Sequence, residues 1–591
     1  MTVRWNLDSL YTSFDSKEFQ NGLEKLDKII EEIKTWTEDN LNDYENVKEK
    51  LEKVIEDNVR FRELYTVMFS FSSLSSSVDA GNDQASTYLD KLQGKLAELT
   101  SSQVKFEIWL DGVEELDSIM DSSELLKEHK FFISEIVDRN KYLLSEKEEV
   151  VIAKMKATGS QAWAKLQNKV SSTLLVDIEL DGEKKQLPLP VVRNLAHNKD
   201  PKVRKTAYDA ELKAYKKIEE SSAASINGIK GEVITLSKLK GYDSPLDKTL
   251  KDSRMKQETL DAMIGAIKDY LPTFRKYYRR KGELLGHNNG LPFFELFAPI
   301  GEVSMEFTFD EAREFIVSNF RSFTDRLADF TDQAFEKEWI DAEIRDGKRG
   351  GAFCNNIVAI NESRVLMNYT GSLGDVKTLA HELGHAYHGF CLQDESILNT
   401  TYPMPLAETA SIFNEAIVLN AALKKANDQE KLAILDTQIT AAGQVTVDIL
   451  SRYLFETELF KRREDHALSV KELNSIMLDA QKQAYGDGLD HNYLHPSMWV
   501  NKPHYYYAER NFYNFPYAFG LLFAKGLYSE YLKKGEEFIP QYDKLLSITG
   551  KMTIEDATAT AGIDVTSKEF WSSSLELIAK DIDEYIKLSK K

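Results

Sequence analysis

Three residues in the stretch TLAHELGHAYH carry the clearest chemical signal in this sequence: His381, Glu382 and His385 form the pattern H-E-x-x-H. On an α-helix, residues four positions apart share a face and lie about 5–6 Å apart, so both imidazoles can bind one tetrahedral cation. Glu382 would point into the same space and take a proton from a water molecule whose pKa zinc lowers from about 15.7 to about 7. The pattern therefore predicts one Zn²⁺ per chain, with His381 and His385 as ligands and Glu382 as general base.

The sequence around this motif has the features of a helix. Ser372 and Asp375 fit an S-x-x-D capping box, which marks a helix N-terminus. The apolar residues that follow recur at helical spacing: Val376, Leu379, Leu383 and Tyr387. Chance alone can produce H-E-x-x-H in a chain of this composition, but the helical context that zinc binding requires favours a metal site.

A catalytic zinc needs a third protein ligand and an open fourth position. The metzincin class would require Gly at position 388 and His at position 391, but His388 and Cys391 stand there, so that class is excluded. Three acids follow the motif, namely Asp394, Glu395 and Glu408. The first two lie in CLQDESILNT, which is typical of a loop or a fraying helix end. Glu408 lies in PMPLAETASIFNEAIVLNAAL, where prolines introduce a second helix.

Two carboxylates on this second helix share one face. Glu408, Ile412 and Glu415 occupy positions i, i+4 and i+7 beside apolar neighbours. A buried acid needs a partner, which a cation can provide for Glu408 and the second ring N–H of a ligand histidine can provide for Glu415. A surface or salt-bridged position is the alternative interpretation of Glu415.

An aromatic segment further along, HPSMWVNKPHYYYAERNFYNFPYAFG, is dense in possible hydrogen-bond donors. A phenol or imidazole donor aimed at a developing oxyanion stabilises the transition state by about 2.7–4 kcal/mol. The alternative for each ring is ordinary packing in a core or at a rim. The candidates are His495, His504, Tyr505, Tyr506, Tyr507, Tyr513 and Tyr517.

Length and composition limit the class of protein. A chain of 591 residues exceeds the size of a single core, and its 13 Pro and 29 Gly are few, so we expect a mainly α protein of two lobes. The net charge of -21 argues against nucleic-acid or anionic-membrane partners. The start MTVRWNLDSLYTSFDS does not read as a signal peptide, and no apolar stretch approaches the length of a membrane span. Two cysteines, Cys354 and Cys391, are too few for a disulfide framework, which favours a cytoplasmic location.

The hydrophobic period changes along the chain. Helical spacing of apolar residues begins at Phe19 and continues with Leu23 and Leu26, and similar patterns extend to about residue 170. The segment STLLVDIELDGEKKQLPLP then alternates around Asp181-Gly182, which predicts a β-hairpin. We therefore expect an N-terminal helical lobe over residues 1–200, with the hairpin near its end, and a catalytic domain over residues 201–591.

Two β-strands are predicted immediately before the zinc helix, at residues 347–360 and 362–369. If the first is an edge strand, an extended peptide can add to it through backbone hydrogen bonds. An ordinary buried hairpin is the equally acceptable alternative.

Several segments together resemble oligoendopeptidase F, a relative of thimet oligopeptidase: GKRGGAFC, NYTGSLGDVKTLAHELGHAYH, PLAETASIFNE, the HYYY to NFPY segment and GIDVTSKEFW. The resemblance covers roughly residues 100 to 580. It implies a zinc endopeptidase restricted to short oligopeptides, built of helical lobes around a deep substrate channel that folded proteins do not enter.

The same resemblance assigns roles residue by residue. It places the zinc ligands at His381, His385 and Glu408, the general base at Glu382, and a supporting acid at Glu415. It also implies that an aromatic region offers His and Tyr donors to the tetrahedral intermediate, for which the counterparts are His504, Tyr513 and Tyr517.

Two other functions are alternatives to endopeptidase activity. A zinc carboxypeptidase of similar helical fold would need a cationic group that binds the C-terminal carboxylate of its substrate. A catalytically silent peptide-binding protein would have no reason to retain Glu382 together with all three ligands. Zinc-dependent hydrolysis of internal bonds in short peptides is therefore the expected function.

Overall fold

In a computed structural model of the protein, which describes residues 3–590, most of the chain is α-helical, as the composition predicts. None of the helices in this part of the chain combines the length and the apolar character that a membrane span requires. The helices are, in chain order, α1 (Lys17–Asn40), α2 (Val47–Val78), α3 (Asp83–Glu98), α4 (Thr100–Asp111), α5 (Leu116–Asp121), α6 (Glu124–Glu128), α7 (Lys130–Asn140), α8 (Glu146–Thr158), α9 (Ser160–Ser172), α10 (Leu189–Asn194), α11 (Pro201–Tyr215), α12 (Glu219–Lys240), α13 (Pro245–Asp252), α14 (Gln257–Leu284), α15 (Phe309–Arg321), α16 (Asp325–Glu336), α17 (Leu373–Cys391), α18 (Met404–Ala407), α19 (Thr409–Lys425), α20 (Asp428–Gly443), α21 (Ile449–Arg463), α22 (Val470–Tyr485), α23 (Met498–Asn501), α24 (Phe515–Lys534), α25 (Ile539–Ile548), α26 (Ile554–Thr560) and α27 (Lys568–Leu588).

The first helix shows how local sequence sets these elements. The side chain of Ser16 accepts a hydrogen bond from the backbone N–H of Phe19 at 3.2 Å and so caps α1. Phe19, Leu26 and Ile30 recur at helical spacing and are buried. The predicted apolar face of this helix is confirmed.

The predicted β-hairpin is present. Strand β1 (Leu175–Leu180) pairs antiparallel with β2 (Glu183–Pro188). Asp181 and Gly182 connect them with φ values of 55° and 78°, both in the left-handed region that a type I′ turn requires. Val176 and Ile178 of β1 are buried in one core with residues of α10, α11 and α12.

A three-stranded sheet lies beside α17, in the order β3-β5-β4. Strand β4 (Phe353–Ile357) pairs antiparallel with β5 (Glu362–Leu366), and β3 (Ile340–Asp341) pairs parallel with β5. Both predicted strands are therefore present but shorter than predicted, because a 3₁₀ turn at Val358–Ile360 follows β4. Strand β4 is at the edge of the sheet.

The chain forms two compact units, and each consists of separate stretches of sequence. The first contains residues 3–142, 305–421 and 530–562, and the second contains residues 143–304, 422–529 and 563–590. In the first, apolar residues of α1, α2 and α3 form a core with Ile357 of β4. The division predicted after residue 200 falls inside the second unit, because α11 packs against β1.

Candidate active site

Helix α17 begins where the capping box predicts. The backbone N–H of Asp375 donates to Ser372 Oγ at 3.1 Å, and the N–H of Ser372 donates to Asp375 Oδ2 at 3.1 Å. The four apolar residues on its inner face, Val376, Leu379, Leu383 and Tyr387, are fully buried. His381 and His385 are half-buried on the same helix, one turn apart.

His381, His385 and Glu408 bring three possible metal ligands together in the first unit. The Nε2 atoms of the two histidines are 3.1 Å apart, and Glu408 Oε2 lies 3.3 Å from His381 Nε2 and 3.6 Å from His385 Nε2. Ligand atoms around a tetrahedral zinc, each about 2.0–2.1 Å from the metal, are about 3.3 Å apart. The spacing and the N₂O donor set fit zinc.

Glu408 was predicted within the second helix, but it lies immediately before that helix begins. It is the turn residue between α18 and α19, so α19 begins immediately after it. Its carbonyl still accepts the N–H of Ile412 at 3.2 Å, as in a continuous helix, so Glu408 and Glu415 keep a common face. Ser411 Oγ donates to Glu408 Oε2 at 2.9 Å and orients the carboxylate.

Glu415 contacts the opposite side of the His381 ring. Its Oε1 lies 2.6 Å from His381 Nδ1, and its Oε2 lies 3.1 Å from Lys377 Nζ. Burial opposes ionisation, but the hydrogen bond to His381 and the charge of Lys377 hold the pKa of Glu415 below its usual range. The ionised Glu415 accepts a hydrogen bond from Nδ1–H of His381. The other ring nitrogen, Nε2, then faces Glu408 and His385.

Burial and neighbouring charges set the protonation of the other groups. Burial, followed by the positive charge of His381, lowers the pKa of His385 to about 4, so its ring is neutral near pH 7. Burial would lower the pKa of His381, but Glu415, Glu408 and Glu382 raise it on balance. The pKa of Glu382 is raised to about 7, mainly by burial. The charge of His381 opposes this increase, and the charges of Glu408 and Glu415 add to it. Such a carboxyl can both accept and return a proton near neutral pH.

Gly384, within the H-E-x-x-H motif, allows α17 and α19 to approach closely. A Cβ at this position would lie 2.5 Å from Ser411 Cα and 2.6 Å from the carbonyl oxygen of Ala410. These are backbone atoms, which do not move aside as a flexible side chain does. The distance between the histidine helix and the glutamate helix therefore depends on this glycine.

We expect Gly384→Ala to lower zinc affinity about tenfold or more, because it pushes Glu408 and Glu415 away from His381 and His385. Metal titration with a competing chelator measures the change. The matched control is Gly374→Ala on the same helix, where a Cβ would approach only Ser372 Oγ, at 3.4 Å. Equal zinc affinity in both variants would contradict the role assigned to the close approach.

Asn356 of β4 connects the sheet to α17. Its Nδ2 donates to the carbonyl oxygen of His385 at 2.9 Å, and its Oδ1 accepts from Ser363 Oγ at 2.7 Å. Gly389 leaves room for this side chain, since a Cβ there would lie 2.4 Å from Asn356 Cγ. The contact fixes the edge strand relative to the histidine helix. Sequence reasoning missed Asn356 and Ser411, and no spacing rule connects either of them to the motif.

The remaining acids and polar residues near the motif have other partners. Glu395 forms an ion pair with Lys551, and both it and Asp394 lie beyond the end of α17. His388 is buried, stacks on Tyr402 and has its Nε2 2.8 Å from Thr549 Oγ1. The two cysteines are free thiols. Only Glu408 among the three acidic candidates lies within reach of both histidines in the described part of the chain.

Three of the aromatic candidates form a cluster in the second unit. The ring centroids of His504 and Tyr513 are 4.9 Å apart, those of His504 and Tyr517 are 6.0 Å apart, and those of the two tyrosines are 5.6 Å apart. They line a cavity of about 490 Å³ together with Tyr507. His495 and Tyr505, in contrast, are buried core residues.

Comparison with known proteins identifies the family of this chain. Residues 194–577 match the profile of peptidase family M3, and residues 112–174 match the profile described as oligopeptidase F. Oligopeptidase PepF of Bacillus subtilis is 25% identical over 536 residues, which is 89% of this chain and 79% of that protein. Oligoendopeptidase F, chromosomal, of Lactococcus lactis subsp. cremoris is 27% identical over 69% of this chain and 68% of its own length.

Solved structures show the same fold. The oligoendopeptidase-F of Enterococcus faecium superposes with a TM-score of 0.70 at 18% identity, over 97% of this chain and 99% of that chain. A Chlamydophila abortus structure superposes with a TM-score of 0.86 at 21% identity, over 99% of this chain and 98% of its own. Because the family profile matches well over half of its length, the chain belongs to peptidase family M3 and is a metallo-endopeptidase.

Proposed function

We propose that this metallo-endopeptidase uses one Zn²⁺, held by His381, His385 and Glu408, to hydrolyse internal peptide bonds of short oligopeptides. The observation that carries the proposal is that three possible ligand atoms, from His381, His385 and Glu408, lie 3.1–3.6 Å apart. The buried Glu382 lies on the same helix as the two histidines. The names of the relatives, oligopeptidase and oligoendopeptidase, support short peptides as the substrate class.

Glu382 supplies the proton transfers. When bound, zinc would polarise the scissile carbonyl and lower the pKa of the attacking water. Glu382 accepts the proton of that water and returns it to the leaving nitrogen, for which its raised pKa, about 7, is well matched. Glu415 and Lys377 hold the His381 ring in the orientation that presents Nε2.

His504, Tyr513 and Tyr517 are the proposed donors to the oxyanion that develops on the carbonyl. Burial, and then the positive charges of Arg452 and Lys502, lower the pKa of His504, so its ring is neutral near pH 7 and carries a single N–H. The rings of His504, Tyr513 and Tyr517 contact one another, and these contacts restrict their orientations. A preorganised donor site requires such restriction.

Strand β4 is the proposed binding site for the substrate backbone. It is at the edge of its sheet, and Asn356 fixes it to the carbonyl of His385. A peptide that pairs with this edge must be extended, at about 3.3 Å per residue, and its side chains contribute little to the pairing. The same proposal includes a narrow channel that admits extended chains. The resemblance to oligoendopeptidase F implies this channel.

Size selection tests this function. Peptides of about 6–20 residues, blocked at both ends, should be cut internally at several sequences, whereas a compact disulfide-bonded domain should resist. Mass spectrometry of the products locates each cut. Peptides prepared from the same domain are the control, because they hold the same bonds in an unfolded form. Efficient digestion of the folded domain would overturn the restriction to short peptides.

The proposed place of action is the cytoplasm, with oligopeptides as partners and neither nucleic acid nor membrane. The two free thiols and the net charge of -21 support this. Fractionation of cells that produce the protein should recover it with cytosolic markers, and recovery with membranes would contradict the proposal.

A further inference from the structure

The segment from Tyr402 to Glu408 carries the third possible metal ligand and belongs to the same unit as the two histidines. It is short and stiff, because Pro403 and Pro405 fix their own φ angles and the N–H of Leu406 donates to the carbonyl oxygen of Pro403 at 3.0 Å. Both prolines and Leu406 are buried. A displacement of Tyr402 would therefore displace Glu408 as well.

The same segment also contacts a second possible ligand. The ring of His385 donates a hydrogen bond to the backbone carbonyl of Ala407. Nε2 of His385 faces His381 and Glu408, at 3.1 Å and 3.6 Å, so the donor is Nδ1–H. A carbonyl that accepts from the second ring nitrogen orients a metal-binding histidine. The segment thus orients His385 in addition to supplying Glu408.

A pair of stacked rings joins this segment to α17. The rings of Tyr402 and His388 are nearly parallel, with an interplanar angle of 6° and centroids 4.2 Å apart. His388 is fully buried in the last turn of α17. Thr549 donates its single hydroxyl proton to the carbonyl oxygen of Leu546 at 3.1 Å, so Nε2–H of His388 donates to Thr549 Oγ1, at 2.8 Å. This hydrogen bond fixes the His388 ring, and the stack fixes Tyr402 against it.

Tyr402 has two groups that could act on the ligand segment, its ring and its hydroxyl. Burial, followed by the charges of Cys354 and Glu408, raises the pKa of Tyr402, so the hydroxyl is protonated near pH 7. The contact with His388 is made by the ring alone. A substitution that removes only the hydroxyl therefore separates the two groups.

We propose that His388 and Tyr402 are positioning residues, whose stacked rings set the placement of Glu408 and the orientation of His385 for zinc binding. This inference rests on the proposed function, because it takes Glu408 and His385 as zinc ligands. Neither His388 nor Tyr402 is one of the three possible ligands. Loss of the stack should therefore lower zinc affinity through the segment that it holds.

Zinc affinity, measured by competition with a chelator, tests this role. Tyr402→Leu should weaken zinc binding about tenfold, as expected when a group that orients a ligand is lost. Tyr402→Phe keeps the stacked ring and should bind zinc within about twofold of wild type. His388→Leu should weaken binding as much as Tyr402→Leu does. The double variant should bind no more weakly than either single variant, because all three break one contact.

Phe390→Leu is the matched control. Phe390 lies two residues after His388 on α17, and its ring stacks on Phe330 of α16 with centroids 4.8 Å apart. The substitution removes a stacked ring near the same end of the helix, but from a contact with a different element. Its zinc affinity should stay within about twofold of wild type. Circular dichroism of each metal-free variant checks that it is folded.

The possible results separate this inference from the function beneath it. If Glu408→Ala binds zinc as wild type does, the proposed function fails. If Glu408→Ala loses zinc but Tyr402→Leu keeps the wild-type affinity, the positioning role is wrong. An equal loss in Tyr402→Phe or in Phe390→Leu would also overturn it, because the hydroxyl or general destabilisation would then explain the effect. Should Tyr402→Leu fail to fold, the comparison of His388→Leu with Phe390→Leu decides the same question.

Discussion

Replacing Glu382 by Gln should lower kcat at least about a thousandfold while zinc stays bound, because the change removes the base and leaves the ligand set intact. Glu382 is 6% exposed and lies between the proposed ligands His381 and His385 in sequence. Glutamine has nearly the same shape, so α17 should keep its packing. The measurements are kcat on a blocked peptide and the zinc content of the same preparation.

Glu395→Gln is the control for this substitution. Glu395 is another acid of the first unit, and its ion pair with Lys551 lies beyond the end of α17. Its loss should leave kcat within about twofold of wild type, since exposed or half-buried ion pairs contribute little. Near-normal turnover of Glu382→Gln with full zinc would show that another group acts as the base.

Removal of the third ligand should have the second large effect, on metal content. Glu408→Ala should reduce zinc occupancy from about one to below about one tenth after dialysis against a chelator, because two histidines alone hold zinc weakly. Glu408 is 35% exposed and accepts one side-chain hydrogen bond in the described residues, from Ser411. The substitution should therefore not unfold the chain, which circular dichroism checks.

Glu395→Ala is the matched comparison for the ligand. Sequence alone left Asp394, Glu395 and Glu408 as candidates, and the structure brings only Glu408 to the histidines. Zinc content measured by mass spectrometry should stay at about one per chain in Glu395→Ala. Full zinc in Glu408→Ala together with loss in Glu395→Ala would reverse the assignment.

Helix α17 was predictable because its determinants are local. The capping box of Ser372 and Asp375 and the apolar spacing from Val376 to Tyr387 lie within one element, and both are confirmed. The I′ turn at Asp181-Gly182 was predictable for the same reason. Lys377 stands one helical turn before His381, but its contact with Glu415 joins two helices, and no local spacing predicts it.

Features that depend on distant residues were not predictable. Asn356 reaches the carbonyl of His385 across 29 positions of sequence, and β3 is a strand of two residues that exists only by pairing with β5. The two units interleave three stretches of chain each, so no single shift in composition marks a boundary. Spacing alone did not separate the aromatic candidates: the rings of His504, Tyr513 and Tyr517 contact one another, whereas His495 and Tyr505 are buried in the core.

Zinc titration of the metal-free protein tests the central proposal most directly. Cleavage of a blocked peptide at an internal bond should be absent after chelation and should rise linearly with added Zn²⁺ to a plateau at about one equivalent per chain. Glu382→Gln should bind the same single equivalent without regaining activity. Two results would contradict a single catalytic zinc held by His381, His385 and Glu408. One is full internal cleavage by the metal-free protein, and the other is activity that reaches its plateau at a zinc content other than about one equivalent per chain.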